Sequence, residues 1–327
     1  MAKGKAKTAP SKKKMSQTTR EIIKTAIFLI IVGILVAVYV VYPLIKSKTV
    51  MGRHDDVETI SIDSLPPNDP TACLETGLPC DTFRVEADGM TSLAALFIAA
   101  PPDSLAQETG LVILLPADTS DRTAMLPWAQ QFADSGYNLV LYDQRASGFS
   151  SGAYHGEGWY EANDLEEMIA WLELHDRIRH PLYVVGRGVG GDAALLASLE
   201  ESRIDGVIAI DPYLSTDRMW EMKRRQYGIF WFPFHKTMLW WWYNIRSSYA
   251  AAYRAVDDLE AVPAPTLLIV PADALDADEV TTLRELSEDD QLVVKTPSED
   301  QLLGAIFDFF RGLGPQPAPE ADTTTTP

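Results

Sequence analysis

The sequence predicts an α/β protein: a mostly parallel sheet with helices on both faces, carrying an aromatic lid insertion and preceded by one membrane-spanning helix. Three observations predict it. An uncharged run, Thr25–Tyr42, stands near the start. Short apolar segments then alternate with longer amphipathic ones, the pattern of strands and helices covering a parallel sheet on both faces. Third, the segment YVVGRGVGGDAALLAS (Tyr183–Ser198) joins an apolar strand to an Ala/Leu-rich helix through a cluster of glycines.

The uncharged run reaches roughly 27 Å as a helix, close to the hydrocarbon thickness of a bilayer. Ile22, Ile23, Leu44 and Ile45 extend it, which sets a span of about 22–45. Met1–Lys48 holds ten of the 28 Lys and Arg and one acid, Glu21, leaving a remainder with a balance of −27. The heavier basic flank, residues 1–21, is expected in the cytoplasm, and the C-terminal bulk outside it. A cleaved signal peptide is the competing reading, but the apolar run is long and YPLIKSKT makes a poor cleavage site. So acidic a remainder opposes nucleic-acid binding, which needs clustered Lys and Arg.

The only cysteines, Cys73 and Cys80, flank Gly77 and Pro79. A turn there can bring the sulfurs together, and a lone disulfide suits an oxidising exterior. Two unpaired thiols are the alternative, and no histidine nearby makes this a metal site. No metal and no cofactor are expected anywhere in the chain. Residues 46–80 read as a tether, most clearly over Arg53–Pro70. The Pro/Thr-rich end, 313–327, reads as a disordered tail.

Strands are predicted at Leu93–Ala99, Leu111–Leu115, Asn138–Tyr142, Leu182–Val185, Gly206–Ile210 and Thr266–Val270. Helices are predicted at Met125–Ser135, Tyr160–His175, Asp192–Glu200 and Gln301–Arg311. In DLEEMIAWLELH the residues Leu165, Met168, Ile169 and Leu172 share one helical face.

The order of EADGMTSLAALFIA, LVILLPAD, GYNLVLYDQRASGFSSG, NDLEEMIAWL and YVVGRGVGGDAALLAS resembles that of α/β-hydrolases. It is most similar to the serine-aminopeptidase-like and membrane-anchored α/β-hydrolase-domain group. Asp143, Arg145, Gly148, Ser150 and Gly152 stand where that group carries its D-x-R-G-x-G-x-S-x-G loop. The resemblance covers roughly Asp81–Gly312, and it implies an α/β-hydrolase domain over 81–312.

The same resemblance implies a nucleophile elbow, and here the chain departs from the family. Gly186, Gly190 and Gly191 supply the small residues that the sharp turn demands. The nucleophile slot between them is Gly188, which has no side chain to attack a carbonyl. Shifting the register offers only Arg187 or Val189. The His-Gly expected at the oxyanion position is Pro116-Ala117. Ala274 aligns with the triad acid, and Asp273 or Asp276 are the candidates for a displaced one. The triad histidine belongs near LVVKTPSEDQLL, which contains none; all five histidines (His54, His155, His175, His180, His235) come earlier. Ser150, Ser151 and His155 place hydroxyls and an imidazole close in sequence, but a structural loop explains them as well.

RMWEMKRRQYGIFWFPFHKTMLWWWYNIR (about 218–246) occupies the usual place of a lid. It carries Trp220, Trp231, Trp240, Trp241 and Trp242, and six basic residues against one acid, Glu221. These aromatics either pack over the sheet or meet the membrane interface; Trp231, Trp240, Trp241 and Trp242 are the candidate contacts. The expected protein is a single-pass membrane protein whose hydrolase-like domain binds or scaffolds, with a lipid or peptide as ligand under the lid. The rival expectation is an active serine-type hydrolase, of esters or peptides, with displaced catalytic groups.

Overall fold

The computed structural model describes residues 16–52, 77–101, 110–117, 120–228, 241, 259–270 and 292–314. Cys73, Asp273, Asp276, Trp231, Trp240 and Trp242 lie outside the described residues.

The chain enters as one helical rod. Ser16 caps it, its hydroxyl accepting from the Thr19 amide at 3.1 Å. Helix α1 (Gln17–Val36) buries none of its side chains. From Thr25 onward it carries no charge, and an uncharged helix with no buried face is unfavourable in water. Gln17–Lys46 is long and apolar enough to cross a membrane. A π-helical turn, Ala37–Val41, joins α1 to α2 (Tyr42–Met51). Pro43 accounts for it: proline donates no hydrogen bond and its ring crowds the carbonyl four residues back, so the preceding turn widens. The helix therefore runs to Met51, six residues beyond the expected span and into the stretch read as tether.

The domain is built on an eight-stranded sheet: β1 (Cys80–Ala87), β2 (Thr91–Ile98), β3 (Gly110–Leu115), β4 (Tyr137–Tyr142), β5 (Leu182–Arg187), β6 (Gly206–Ile210), β7 (Thr266–Ile269) and β8 (Leu292–Lys295). Their spatial order is β1-β2-β4-β3-β5-β6-β7-β8. β1, β2 and β4 pair antiparallel, and every other pairing is parallel. The parallel strands β3, β5 and β6 read as unbroken apolar runs because both faces are covered. On one face pack α4 (Trp159–Leu174) and α5 (Val189–Glu200), through Leu165, Met168, Ile169 and Leu172 and the alanines and leucines of α5. On the other pack α3 (Leu126–Asp134) and α7 (Leu302–Leu313), through Phe132, Ile306, Phe309 and Phe310. A further helix, α6 (Thr216–Gln226), follows β6.

Six strands and four helices stand where the sequence predicts them, with shifted ends. The largest shift is α5, which begins at Val189 rather than Asp192, so the glycines belong to its first turn. The edge strand β1 escapes prediction because the burial of its residues alternates only in part. α6 occupies the first third of the expected lid.

Candidate functional site: the elbow end of the sheet

The parallel strands all end at one edge of the sheet, where loops and helix N-termini converge, and there β5 turns into α5. Gly188 forms the apex at φ 55° and ψ −125°. That conformation is open to glycine and strained for any residue with a Cβ. Its N–H donates to the Ile210 carbonyl at 2.8 Å, while its own carbonyl accepts from Gly191 and Asp192 at 2.9 and 3.1 Å. Close approach explains the other glycines. A Cβ on Gly186 would overlap the Gly190 carbonyl and stand 2.6 Å from the Gly191 nitrogen. A Cβ on Gly190 would stand 2.6 Å from the Pro116 oxygen.

Around the apex one backbone donor is offered by the start of α5. Val189 opens α5, so its N–H has no acceptor within the helix and lies at the positive end of the helix dipole. Across from it, Pro116 has no N–H to give. Its carbonyl accepts from Gln144 Nε2 at 2.5 Å, and the Ala117 carbonyl closes a turn with Ser120 at 3.0 Å. Asp192, fully buried in the first turn of α5, accepts from the Tyr213 and Leu214 amides at 2.8 Å each. This carboxylate is a staple that fixes the loop after β6 against the elbow.

The loop Asp143–Gly152 is held by its own polar groups. Asp143 accepts from the Arg122 and Phe149 amides at 2.8 Å each and pairs with the Arg122 guanidinium at 3.3 Å. Burial still pushes its carboxyl up from the ordinary value, against the pull of Arg122. Gly148, at φ 44°, lies against this carboxylate, where a Cβ would collide with it. The Ser150 hydroxyl donates to the Asp143 carbonyl at 2.5 Å and accepts from the Ala94 amide at 2.8 Å. Ser151 Oγ accepts from the Ser92 amide at 2.8 Å. Both hydroxyls tie the loop to β2, and His155 is buried in the segment that follows.

Arg145 donates to both oxygens of Asp164 at 2.7 and 2.6 Å and reaches Asp88 at 3.1 Å. Burial raises the Asp164 carboxyl to about 6, partly offset by Arg145. The folded chain thus holds this proton at pH values where the unfolded chain, near 3.8, has released it. The stability this group contributes is full below about 3.8 and is lost as pH rises through about 6. Asp164→Asn is expected to flatten that part of the pH dependence, read as the denaturant midpoint between pH 4 and 7.

Above the apex the surroundings are apolar. Val189, Tyr213, Met219 and Trp220 form a buried cluster, with Tyr154 and Tyr227 packed against it. Sequence reasoning missed a further ion pair here. Lys223 of α6 and Glu157 of the loop before α4 are both fully buried and bond to one another. Lys223 Nζ also lies 5.8 Å from the centre of the Tyr213 ring. The signal was a lysine among the apolar positions of α6, which the sequence alone presents as one more member of a basic stretch.

The structure thus places Gly186, Gly188, Val189, Gly190, Gly191, Pro116 and Ala117 at one edge of the sheet. The residues that follow β8, Thr296–Gln301, include no histidine of their own. Trp241 is exposed.

The strand order, the elbow after β5 and the helices on both faces define an α/β-hydrolase fold. An esterase of Pyrococcus furiosus is similar, with a TM-score of 0.59 at 17% identity over 76% of this chain and 95% of its own. A bacterial membrane phospholipase A is similar over 90% of this chain and 99% of its own, with a TM-score of 0.51 at 14% identity. The uncharacterized protein YqkD of Bacillus subtilis is 29% identical over 85 residues, 26% of this chain and 28% of that relative's length. Residues 88–300 match the X-Pro dipeptidyl-peptidase (S15) family, and the chain belongs to that family. The hydrolase superfamily expected from the motif order is therefore the one found, and S15 is the family within it.

Proposed function

We propose that this protein is a membrane-anchored, extracytoplasmic member of the hydrolase superfamily whose elbow binds rather than cleaves. The observation that carries the reading is the backbone of Gly188. The turn that strains a nucleophile into position is present at φ 55° and ψ −125°, with no oxygen on it. Acyl transfer needs a nucleophile, a base and an oxyanion pocket acting as a unit. Two of the three are missing from the positions where the fold provides for them. What remains is a helix N-terminus with a spare N–H, Val189, under an aromatic ceiling, which suits an apolar ligand with a polar head.

In this reading α1 is an uncleaved anchor, the basic residues before it stay in the cytoplasm, and Cys73 and Cys80 form a disulfide outside. The aromatic residues 231 and 240–242 complete the lid over a lipid or peptide. Family membership favours a second reading, an active serine hydrolase with catalytic groups displaced to other positions, Asp273 or Asp276 as the acid. Turnover separates the two. The full chain in detergent is expected to give no hydrolysis of aryl esters or Xaa-Pro amides above a boiled control. Saturable turnover abolished by a fluorophosphonate would establish the hydrolase instead.

A further inference from the structure

The anchor does not leave the domain on a slack tether. Tyr42, the last residue of the uncharged run, packs against the cluster over the elbow, whose members Val189 and Met219 belong to α5 and α6. One turn later Lys46 Nζ donates to the Tyr227 carbonyl at 3.3 Å. Gly52 then forms an antiparallel bridge with Tyr154, in the loop between β4 and α4. Three fastenings within eleven residues leave little freedom between rod and domain. The place where the chain leaves the hydrocarbon is thereby packed against the cluster to which the residue after the elbow apex belongs.

Two independent features mark the same end of the sheet. Apart from the rod, the large apolar side chains exposed among the described residues are Met90, Phe149, Trp159, Leu174, Met222 and Trp241. Met90 lies in the β1–β2 turn, Phe149 after β4, Trp159 at the start of α4 and Met222 on α6, all at the elbow end. Leu174 alone is fixed at the far end, about 24 Å away along α4. The second feature is charge. Arg218, Arg224 and Arg225 on α6 join Lys46 and Lys48 at this end, with Glu221 holding Arg224 at 2.6 Å and Arg225 at 3.1 Å. Arg225 remains three-quarters exposed. A domain with a balance of −27 beyond Lys48 would be repelled by an anionic surface in most orientations. Only a basic face turns that repulsion into attraction.

We propose that the elbow end of the sheet sits on the leaflet at the C-terminal end of the anchor, held by anionic phospholipid headgroups, so that the aromatic cluster over Gly188 faces the bilayer. This deepens the functional reading above and rests on its anchor: the ligand class becomes a membrane lipid. Apolar side chains at this end enter the interfacial region, and each basic residue near it contributes about 1 kcal/mol.

The test uses the full chain with a benzophenone amino acid at Met222, Gln226 or, as control, Leu174, in phosphatidylglycerol–phosphatidylcholine vesicles. Illumination is expected to give lipid adducts at Met222 and Gln226 and none at Leu174. Omitting phosphatidylglycerol should lower the yield by at least about fivefold, the equivalent of one surface cation. No adduct at either elbow-end position, or an equal yield at Leu174, overturns the proposal, as does a yield indifferent to the anionic lipid. Retention after an alkaline carbonate wash tests the anchor by itself, so a false anchor and a domain held off the membrane give different results.

Discussion

Lys223→Met is expected to destabilise the domain by about 3–5 kcal/mol. The side chain is fully buried and ion-paired with Glu157, itself fully buried. Removing the ammonium strands a carboxylate charge inside the protein, and that penalty exceeds the gain from burying an apolar side chain. The double variant Lys223→Met/Glu157→Gln removes both charges and is expected to recover much of the loss. Denaturant unfolding of the solubilised chain checks both, and a single variant as stable as the parent would contradict the account of the pair. The pair also bears on the site: it bolts α6 to the loop before α4, directly beside Tyr213 and the cluster over Val189. In this structure α6 is a fixed ceiling over the elbow.

Gly186→Ala is expected to cost about 3 kcal/mol or more, since overpacking here meets backbone with no side chain free to yield. The added methyl group would overlap the Gly190 carbonyl and press on the Gly191 nitrogen. To relieve it, β5 and α5 must part, and with them the apex they define. Gly304→Ala, where a Cβ meets nothing within 4 Å, is the matched control and is expected to be neutral or slightly stabilising. Equal midpoints for the two variants would mean that the elbow is looser than its geometry indicates.

Much of this architecture was legible in the residues because its causes are local. The parallel strands announce themselves as apolar runs, since burial on both faces leaves no polar alternation. The elbow was legible because a sharp turn between a strand and a helix tolerates only glycine at defined spacings. The Asp143–Gly152 loop was legible as structural, and Ser150 and Ser151 are indeed bonded to β2. What escaped depends on contacts distant in sequence. Nothing near Lys223 announces that Glu157, 66 residues away, will accept its charge. The continuation of the helix to Met51 escaped for the same reason, because YPLIKSKTVM is polar and contains proline, and reads as a linker until Tyr42 and Lys46 are seen fastened to the domain. The edge strand β1 was missed because the burial of its residues alternates only in part, so no period-two pattern marks it.

The central claim is that the domain binds without cleaving because it carries no activated nucleophile, and covalent labelling tests it most directly. The full chain, treated with an excess of a fluorophosphonate and examined by intact mass, is expected to keep its mass, as is the Gly188→Ser variant, which has a hydroxyl at the apex but no histidine after β8 to activate it. A stoichiometric phosphonyl adduct on the wild-type chain, mapped to one serine or threonine, would show an activated hydroxyl elsewhere and contradict the account.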